Sequence, residues 1–170
     1  MNLEQAITQM THQAQTIRSM TVGVEADQAR WKPNADSWSI LEVINHLYDE
    51  EREDFRVRLD IILHRPDDKW PPIYPVEWVT ERQYQQRDLT ESLQNFLAER
   101  EKSLDWLRSL NAPDWQAISP RPRGGSIRAG DMFAAWVAHD LLHVRQLVEL
   151  HYAYTVERNQ PFLVDYAGDW

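Results

Sequence analysis

Two histidines separated by three residues are the strongest chemical signal in the sequence. They stand in the segment His139-Asp140-Leu141-Leu142-His143. In an α-helix, where each residue turns by about 100°, these two positions lie about 40° apart on one face, one turn from each other. Two imidazoles placed in this way can bind one metal ion, as they do in helical zinc motifs. Taken alone the pair is a weak signal, because histidines four residues apart also arise by chance.

The pair also has the spacing of the zincin motif H-E-x-x-H, in which the glutamate is a general base. Asp140 stands at the glutamate position but is one methylene shorter, and no third ligand follows at the metzincin spacing. The sequence also offers no obvious strand edge along which a peptide substrate could lie. A zincin-type protease is therefore the less favoured interpretation.

A third histidine, His46, lies early in another predicted helix. It stands between the apolar residues Ile44 and Leu47, so its side chain could point into the interior of a helical bundle. Facing helices of a bundle can bring ligands together in that interior. The other three histidines are expected to lie outside the site, either exposed or near the C-terminal ends of helices: His12, His64 and His151.

An acidic segment follows His46. Glu50 and Glu53 come four and seven residues after it, on the same helical face. Either carboxylate could accept a hydrogen bond from a ligand imidazole or act as a base on metal-bound water. We keep Glu50 as the candidate for such a role. A solvated stripe is the simpler interpretation for three neighbouring acidic residues: Asp49, Glu51 and Asp54.

Hydrophobic periodicity predicts four long helices that must position these residues. Apolar residues recur at spacings of three and four in each of them. Ser39 and Glu42 match a capping box, which marks the start of the second helix. Ser126 is expected to cap the last helix. The predicted helices cover about residues 2–20, 40–64, 90–110 and 127–152.

A connection rich in proline and aromatic residues, 65–88, joins the second helix to the third. It could act as a lid over a site, or its aromatic side chains could cover one end of the core, and we favour the second interpretation. One short helix is expected near 77–85. No run of strands is evident. The pattern predicts an all-α fold, a four-helix bundle formed by a single domain over residues 1–170.

Composition limits the functions open to this chain of 170 residues. The absence of cysteine excludes disulfides, thiolate metal sites and a thiol nucleophile, and it fits a reducing cytoplasm. With 18 Lys and Arg against 27 Asp and Glu, the net charge is -9, which argues against binding to nucleic acid or to an anionic membrane surface. No apolar run approaches the length of a membrane span, and the N-terminus does not read as a signal peptide. We therefore expect a cytoplasmic protein.

Three arginines surround the start of the last predicted helix: Arg121, Arg123 and Arg128. With the free backbone N–H groups of that helix they could bind an anion, such as the carboxylate of a thiol cofactor. A solvated basic loop is an equally good interpretation. Trp136 lies one turn before His139 and could form a pocket wall, although a core or interface position is the preferred interpretation.

The histidine segments resemble those of the DinB/YfiT-like superfamily, bacterial metal-binding four-helix bundle proteins. The resemblance covers most of the chain and is carried by WSILEVINHL at 38–47 and AHDLLHVRQL at 138–147. It implies a site of three histidines, His46, His139 and His143, that binds a divalent metal and leaves other positions open to water. Zinc or nickel suits these ligands best, and iron or manganese would also fit.

The resemblance further implies chemistry on a small molecule. Some members of the superfamily transfer low-molecular-weight thiols such as bacillithiol or mycothiol, or isomerise maleylpyruvate with a thiol cofactor, and members are often dimeric. Because this chain has no cysteine, any thiol must come from outside it. We therefore expect a homodimeric metal-dependent thiol transferase or hydrolase. The alternatives are a non-catalytic metal-binding or stress-related protein, and a helical dimerisation protein whose histidines bind no metal.

Overall fold

Four long helical segments form most of the computed structural model, which describes residues 2–122 and 124–168. They are α1 (Leu3–Thr21), α3 (Ile40–Glu50) with α4 (Arg56–His64), α6 (Leu89–Ser109) and α7 (Ala129–Arg158). The shorter elements are α2 (Ala26–Arg30), α5 (Pro75–Glu81), and 3₁₀ turns at Tyr84–Gln86 and Asp165–Ala167. The long segments pack against one another, so the predicted all-α four-helix bundle is confirmed.

The second long helix begins at the predicted capping box. The Ser39 hydroxyl accepts a hydrogen bond from the Glu42 N–H at 3.3 Å, and the Glu42 carboxylate accepts one from the Ser39 N–H at 2.7 Å. The helix then runs without a break to His64, but its middle turn, Glu51–Phe55, is a π-helix between α3 and α4. A π-helical turn holds more residues than an α-helical one, so it changes the direction of the side chains that follow.

The helices α1 and α7 run parallel to each other. The Gln13 amide donates to the Val137 carbonyl at 3.0 Å, and the His151 ring donates to the Met20 carbonyl at 2.7 Å. The contact positions therefore advance together along both helices.

The second and third long helices are also parallel. Asn45 of α3 donates to Ser92 of α6 at 3.0 Å, and Arg56 of α4 donates to Ser103 at 3.1 Å. Consecutive helices that point the same way need a connection that returns along the whole bundle. Residues 65–88 supply this return, which explains the length of the connection that the sequence shows.

Two apolar clusters fill the interior, and a charged layer lies between them along the helices. The clusters are centred on Met10, Leu59, Leu104 and Phe133, and on Ile17, Ile44, Phe96 and Leu147. In the layer between them, Arg100 donates to Asp140 at 2.6 and 2.8 Å and to Glu51 at 2.5 Å. Burial of these charges is tolerable because each is paired and hydrogen-bonded.

A small two-stranded hairpin precedes α7, in a part of the chain where the sequence shows no evident run of strands. Strand β1 (Ile118–Pro120) pairs antiparallel with β2 (Ser126–Arg128). Strands of three residues are too short to produce a readable alternation of apolar and polar side chains. Ser126 pairs with Pro120 and is not the cap of α7, which begins at Ala129.

The long connection carries the short helix that the sequence predicts. This helix, α5, begins two residues earlier than expected, at Pro75, because the fixed φ of proline suits the first turn of a helix. The helix α2 was not predicted, since five residues are too few for a helical period to be read. None of the described helices is long and apolar enough to span a bilayer.

Candidate metal centre

Three histidines from two helices meet in the middle of the bundle. One ring nitrogen from each of His46, His139 and His143 lies within 4.8 Å of those of the other two. The Nε2 atom of His139 is 3.1 Å from that of His143 and 3.4 Å from that of His46. The spacing of four residues on α7 and the antiparallel packing of α3 against α7 produce this convergence.

The distances between these nitrogen atoms fit a shared metal ion. Nitrogen ligands about 2.0–2.1 Å from a tetrahedral zinc ion lie about 3.3 Å from each other. The two Nε2 distances, 3.1 and 3.4 Å, lie on either side of that value. A neutral imidazole has one nitrogen without a proton, so facing lone pairs at this range repel unless a cation or a proton lies between them.

Burial favours the neutral form of all three imidazoles. Desolvation, with the charges of His143 and His139, lowers the pKa of His46 to about 2. Desolvation, with the charges of His143 and Arg100, lowers the pKa of His139 to about 3. Desolvation also lowers the pKa of His143, against an opposing hydrogen bond. Because metals bind the neutral ring, the site needs no deprotonation near neutral pH.

Gln146 orients the ring of His143. Its Oε1 atom accepts a hydrogen bond from Nδ1 of His143 at 2.8 Å. This bond keeps the proton on Nδ1 and leaves the Nε2 lone pair directed towards His139. A polar group on the far nitrogen is a regular feature of metal-binding histidines. The role of Gln146 was not predicted from the sequence, although its position three residues after His143, on the same helical face, could have indicated it.

Aromatic side chains enclose the three imidazoles. The Trp38 ring lies parallel to that of His143 at 6.4 Å between centroids and packs against His46 at 4.8 Å. Phe55 packs against His139 at 5.0 Å. These walls reduce the contact of the rings with water, and electrostatic interactions are stronger in such less polar surroundings. Trp136 has the preferred core position, fully buried, with its indole N–H donating to the Glu51 carboxylate at 2.8 Å.

Glu50 lies behind His46, on the side away from the converging nitrogens. Its Oε1 atom is 3.8 Å from Nδ1 of His46, and only 5% of the residue is exposed. Burial raises the pKa of Glu50, and so do the charge of Asp54 and the hydrogen bond to it. This position suits a residue that orients the imidazole better than one that acts on a ligand at Nε2.

Glu50 belongs to a row of side chains four residues apart: His46, Glu50, Asp54 and Arg58. Asp54 is hydrogen-bonded to Glu50, and its Oδ1 atom lies 2.7 Å from Nε of Arg58. In a regular α-helix such a row drifts by about 40° at each step. The π-helical turn Glu51–Phe55 holds more residues per turn and compensates for this drift, so the row stays on one side.

The expectation that Asp49, Glu51 and Asp54 face solvent is wrong. All three are buried, and each is paired with an arginine. The pairs are Asp49 with Arg82 at 2.7 Å, Glu51 with Arg100 at 2.5 Å and Asp54 with Arg58 at 2.7 Å. Two of these arginines come from segments distant in sequence, so a reading of the acidic segment alone could not find them.

The remaining residues considered from the sequence lie outside the centre. His12 is exposed, as expected, and His64 is the last residue of α4, at the helix end where it was expected. His151 is not at a helix end, because α7 continues to Arg158, and its Nδ1 accepts a hydrogen bond from Gln28 at 3.0 Å. Asp140 is held by Arg100 in the core and is unavailable as a zincin-type base.

The three arginines before the last helix do not form one anion site in the part of the chain that is described. Arg128 is paired with Asp131 at 2.9 Å on the surface. Arg121 lines a separate cavity. Arg123 lies outside the described residues.

Comparison with known protein families places the chain in one of them. The family model of the DinB superfamily matches residues 9–147, a segment that contains all three histidines. The chain belongs to the DinB superfamily. The resemblance inferred from the two histidine segments is therefore confirmed. No curated protein matches this DinB-superfamily chain.

Among solved structures, this DinB-superfamily protein is similar to YfiT from Bacillus subtilis. YfiT is described as a probable metal-dependent hydrolase with an unusual four-helix bundle topology. The TM-score is 0.79, over 90% of this chain and 87% of YfiT, at 16% sequence identity. The TM-score over most of both chains shows that the two proteins share a fold.

Proposed function

We propose that this DinB-superfamily protein is a metal-dependent hydrolase of a small molecule, with a divalent metal ion bound by His46, His139 and His143. The observation that carries the proposal is the convergence of three Nε2 atoms at the spacing of metal ligands. The description of YfiT as a probable metal-dependent hydrolase supports the reaction class. Zinc or nickel suits three imidazoles best, and iron or manganese fits if further ligands are water.

Each part of the site has a chemical role in this proposal. A divalent ion bound there would supply Lewis acidity, lowering the pKa of a coordinated water and polarising a substrate oxygen. The three imidazoles are neutral and so leave the positive charge of the ion uncompensated. Gln146 keeps the Nε2 atom of His143 free of its proton, and Glu50 faces the far nitrogen of His46. Trp38 packs against the rings of His46 and His143 and forms one wall of the site.

A thiol transferase is the second candidate function. An ion held by three neutral ligands attracts an anionic thiolate, and the chain has no cysteine to supply one. The thiol would therefore be an external low-molecular-weight cofactor. The non-catalytic alternative, a metal-binding or stress-related protein, has the same site without a reaction.

Metal analysis tests the site itself. Protein purified without a histidine tag and incubated with zinc or nickel is expected to keep about one ion per chain after gel filtration. His139→Ala removes the central ligand and is expected to reduce the retained metal to less than about a tenth, while His12→Ala, at an exposed position, keeps it. Metal content that His139→Ala leaves unchanged would contradict the proposal.

A panel of substrates separates the candidate reactions. Metal-loaded protein is incubated with small esters, amides and phosphoesters, and with electrophiles in the presence and absence of low-molecular-weight thiols. Metal-dependent turnover without thiol is the expected result. Turnover only with thiol would identify a transferase, and no turnover by fully loaded protein would favour the non-catalytic alternative.

Three properties inferred from the sequence stay predictions: a homodimer, a cytoplasmic location and a single domain over residues 1–170. Sedimentation velocity at several protein concentrations tests the first. A species with the mass of two chains is expected, and a single species with the mass of one chain at every concentration would contradict it.

A further inference from the structure

A cavity of about 730 Å³ lies between the proline-rich connection and the hairpin before α7. Its walls include aromatic rings, proline rings and two guanidinium groups, from Arg58, Trp70, Pro71, Pro72, Tyr74 and Arg121. Arg58 comes twelve residues after His46, which corresponds to about 18 Å along the helix. The cavity is therefore separate from the histidine centre.

The walls of this cavity are held in place by specific contacts. The Trp70 indole N–H donates to the Ser119 hydroxyl at 3.1 Å, which ties the connection to β1. The Arg58 guanidinium lies over the Trp70 ring at 4.9 Å and also donates to the Pro71 carbonyl at 3.4 Å. Proline rings have a fixed φ, so this wall loses little further freedom when a ligand binds.

The charge of the cavity is opposite to that of the whole protein. The chain has a net charge of -9, yet two arginines line this one cavity. Arg58 shares its charge with Asp54 on the buried side, at 2.7 Å. Arg121 folds over the hairpin turn at Gly125 and makes no ion pair within residues 2–122 and 124–168. A guanidinium that has no ion pair among the described residues, in a cavity with aromatic and proline walls, is suited to an anionic ligand with a flat apolar body.

We propose that this cavity is a second binding site of the protein and that its ligand is a small aromatic carboxylate. The volume is that of a typical small-molecule site. A guanidinium binds a carboxylate through two parallel hydrogen bonds, and Arg121 presents such a group at an exposed position of the cavity wall. The aromatic ring of the ligand packs against the half-exposed Tyr74 and the ring of Pro72. This site does not depend on metal binding by the histidines.

Calorimetric titration of the metal-free protein with naphthoate and with naphthamide tests the proposal. The two probes have the same ring, and only naphthoate carries a charge. Naphthoate is expected to bind saturably at one site per chain, and naphthamide at least about tenfold more weakly. Equal affinities for the two probes, or no saturable binding of naphthoate, would overturn the proposal.

Variants locate the bound probe. Arg121→Gln, at an exposed position that leaves the fold intact, is expected to weaken naphthoate binding at least about fivefold. Arg128→Gln removes a neighbouring surface arginine outside the cavity and is expected to change nothing. His139→Ala is also expected to bind naphthoate as the unchanged protein does. Failure of the cavity proposal can therefore be distinguished from failure of the proposed metal site. An unchanged affinity in Arg121→Gln, or a loss in His139→Ala, would refute this site.

Discussion

Two of the three imidazoles in the histidine centre present Nε2 to their neighbours and Nδ1 to a polar side chain. For His143 that side chain is Gln146, at 2.8 Å, and for His46 it is Glu50, at 3.8 Å. The group at the far nitrogen determines which tautomer the ring adopts. For His143 the hydrogen bond to Gln146 leaves the Nε2 lone pair directed towards the other two imidazoles.

Replacing Gln146 tests this orienting role. Gln146→Met keeps the length of the side chain but removes the acceptor for Nδ1 of His143. We expect the affinity for zinc to fall by about 10- to 100-fold, because the ring loses its fixed tautomer and orientation. Competition with a chromogenic chelator measures the affinity. Arg145→Met, on the exposed face beside it, is the matched control, and equal affinities of the two variants would refute the role.

At the scale of the elements, the buried charges join helices that are distant in sequence. Arg100 of α6 contacts Asp140 of α7, Glu51 of the π-helical turn and the Met10 carbonyl of α1. Asp140 immediately follows His139. The same network that holds the helices together therefore also sets the rotation of α7 that directs the histidine pair inwards.

Removing Arg100 is expected to destabilise the bundle strongly. Arg100→Met leaves Glu51 and Asp140 buried without their partner, which costs about 3–5 kcal/mol in the free energy of unfolding. Arg108→Met, which breaks an exposed ion pair with Asp105 on the same helix, is expected to cost less than about 1 kcal/mol. Urea unfolding followed by circular dichroism measures both. Similar losses of unfolding free energy in the two variants would show that the buried network contributes no more to stability than the exposed ion pair.

The capping box that starts α3 allows a second test at this scale. Ser39→Ala removes the acceptor for the Glu42 N–H, and we expect the free energy of unfolding to fall by about 1 kcal/mol. Ser109→Ala, at an exposed position in the last turn of α6, is expected to change it by less than about 0.5 kcal/mol. The same urea experiment compares them, and a Ser39→Ala change no larger than that of the control would count against the cap.

At the scale of the whole molecule, the candidate metal centre links two halves of the chain. His46 comes from α3, and the other two histidines come from α7, about ninety residues later. The centre lies between the two apolar clusters, at the level of the charged layer. A metal ion bound there would hold α3 against α7 where the interior is least apolar.

Metal binding should therefore stabilise the folded protein. An ion that binds only the folded state, present at 100 times its dissociation constant, raises the free energy of unfolding by about 2.7 kcal/mol. We expect this increase in urea unfolding of the unchanged protein with zinc, and none in His139→Ala at the same zinc concentration. An equal increase in both would place the stabilising zinc elsewhere.

Local sequence patterns predicted most of the helical structure of this protein. The repeat of apolar residues gave the four long helices, and Ser39 with Glu42 marked the start of α3, because both signals arise from contacts within a few residues. The spacing of His139 and His143 placed both on one face of a helix for the same reason. Metal binding by His46, His139 and His143 stays a prediction from the sequence. The structure adds the distances between their ring nitrogens, against which the prediction can be tested.

Other features could only be decided by tertiary structure. Asp49, Glu51 and Asp54 look like a solvated stripe in the sequence, yet they are buried. The parallel course of α3 and α6, and the hairpin before α7, also left no readable local signal. The sequence by itself determined the helices, their apolar faces, the absence of cysteine and the histidine spacing. Burial, pairing and the side that Glu50 presents to His46 depend on partners distant along the chain, which only folding brings together.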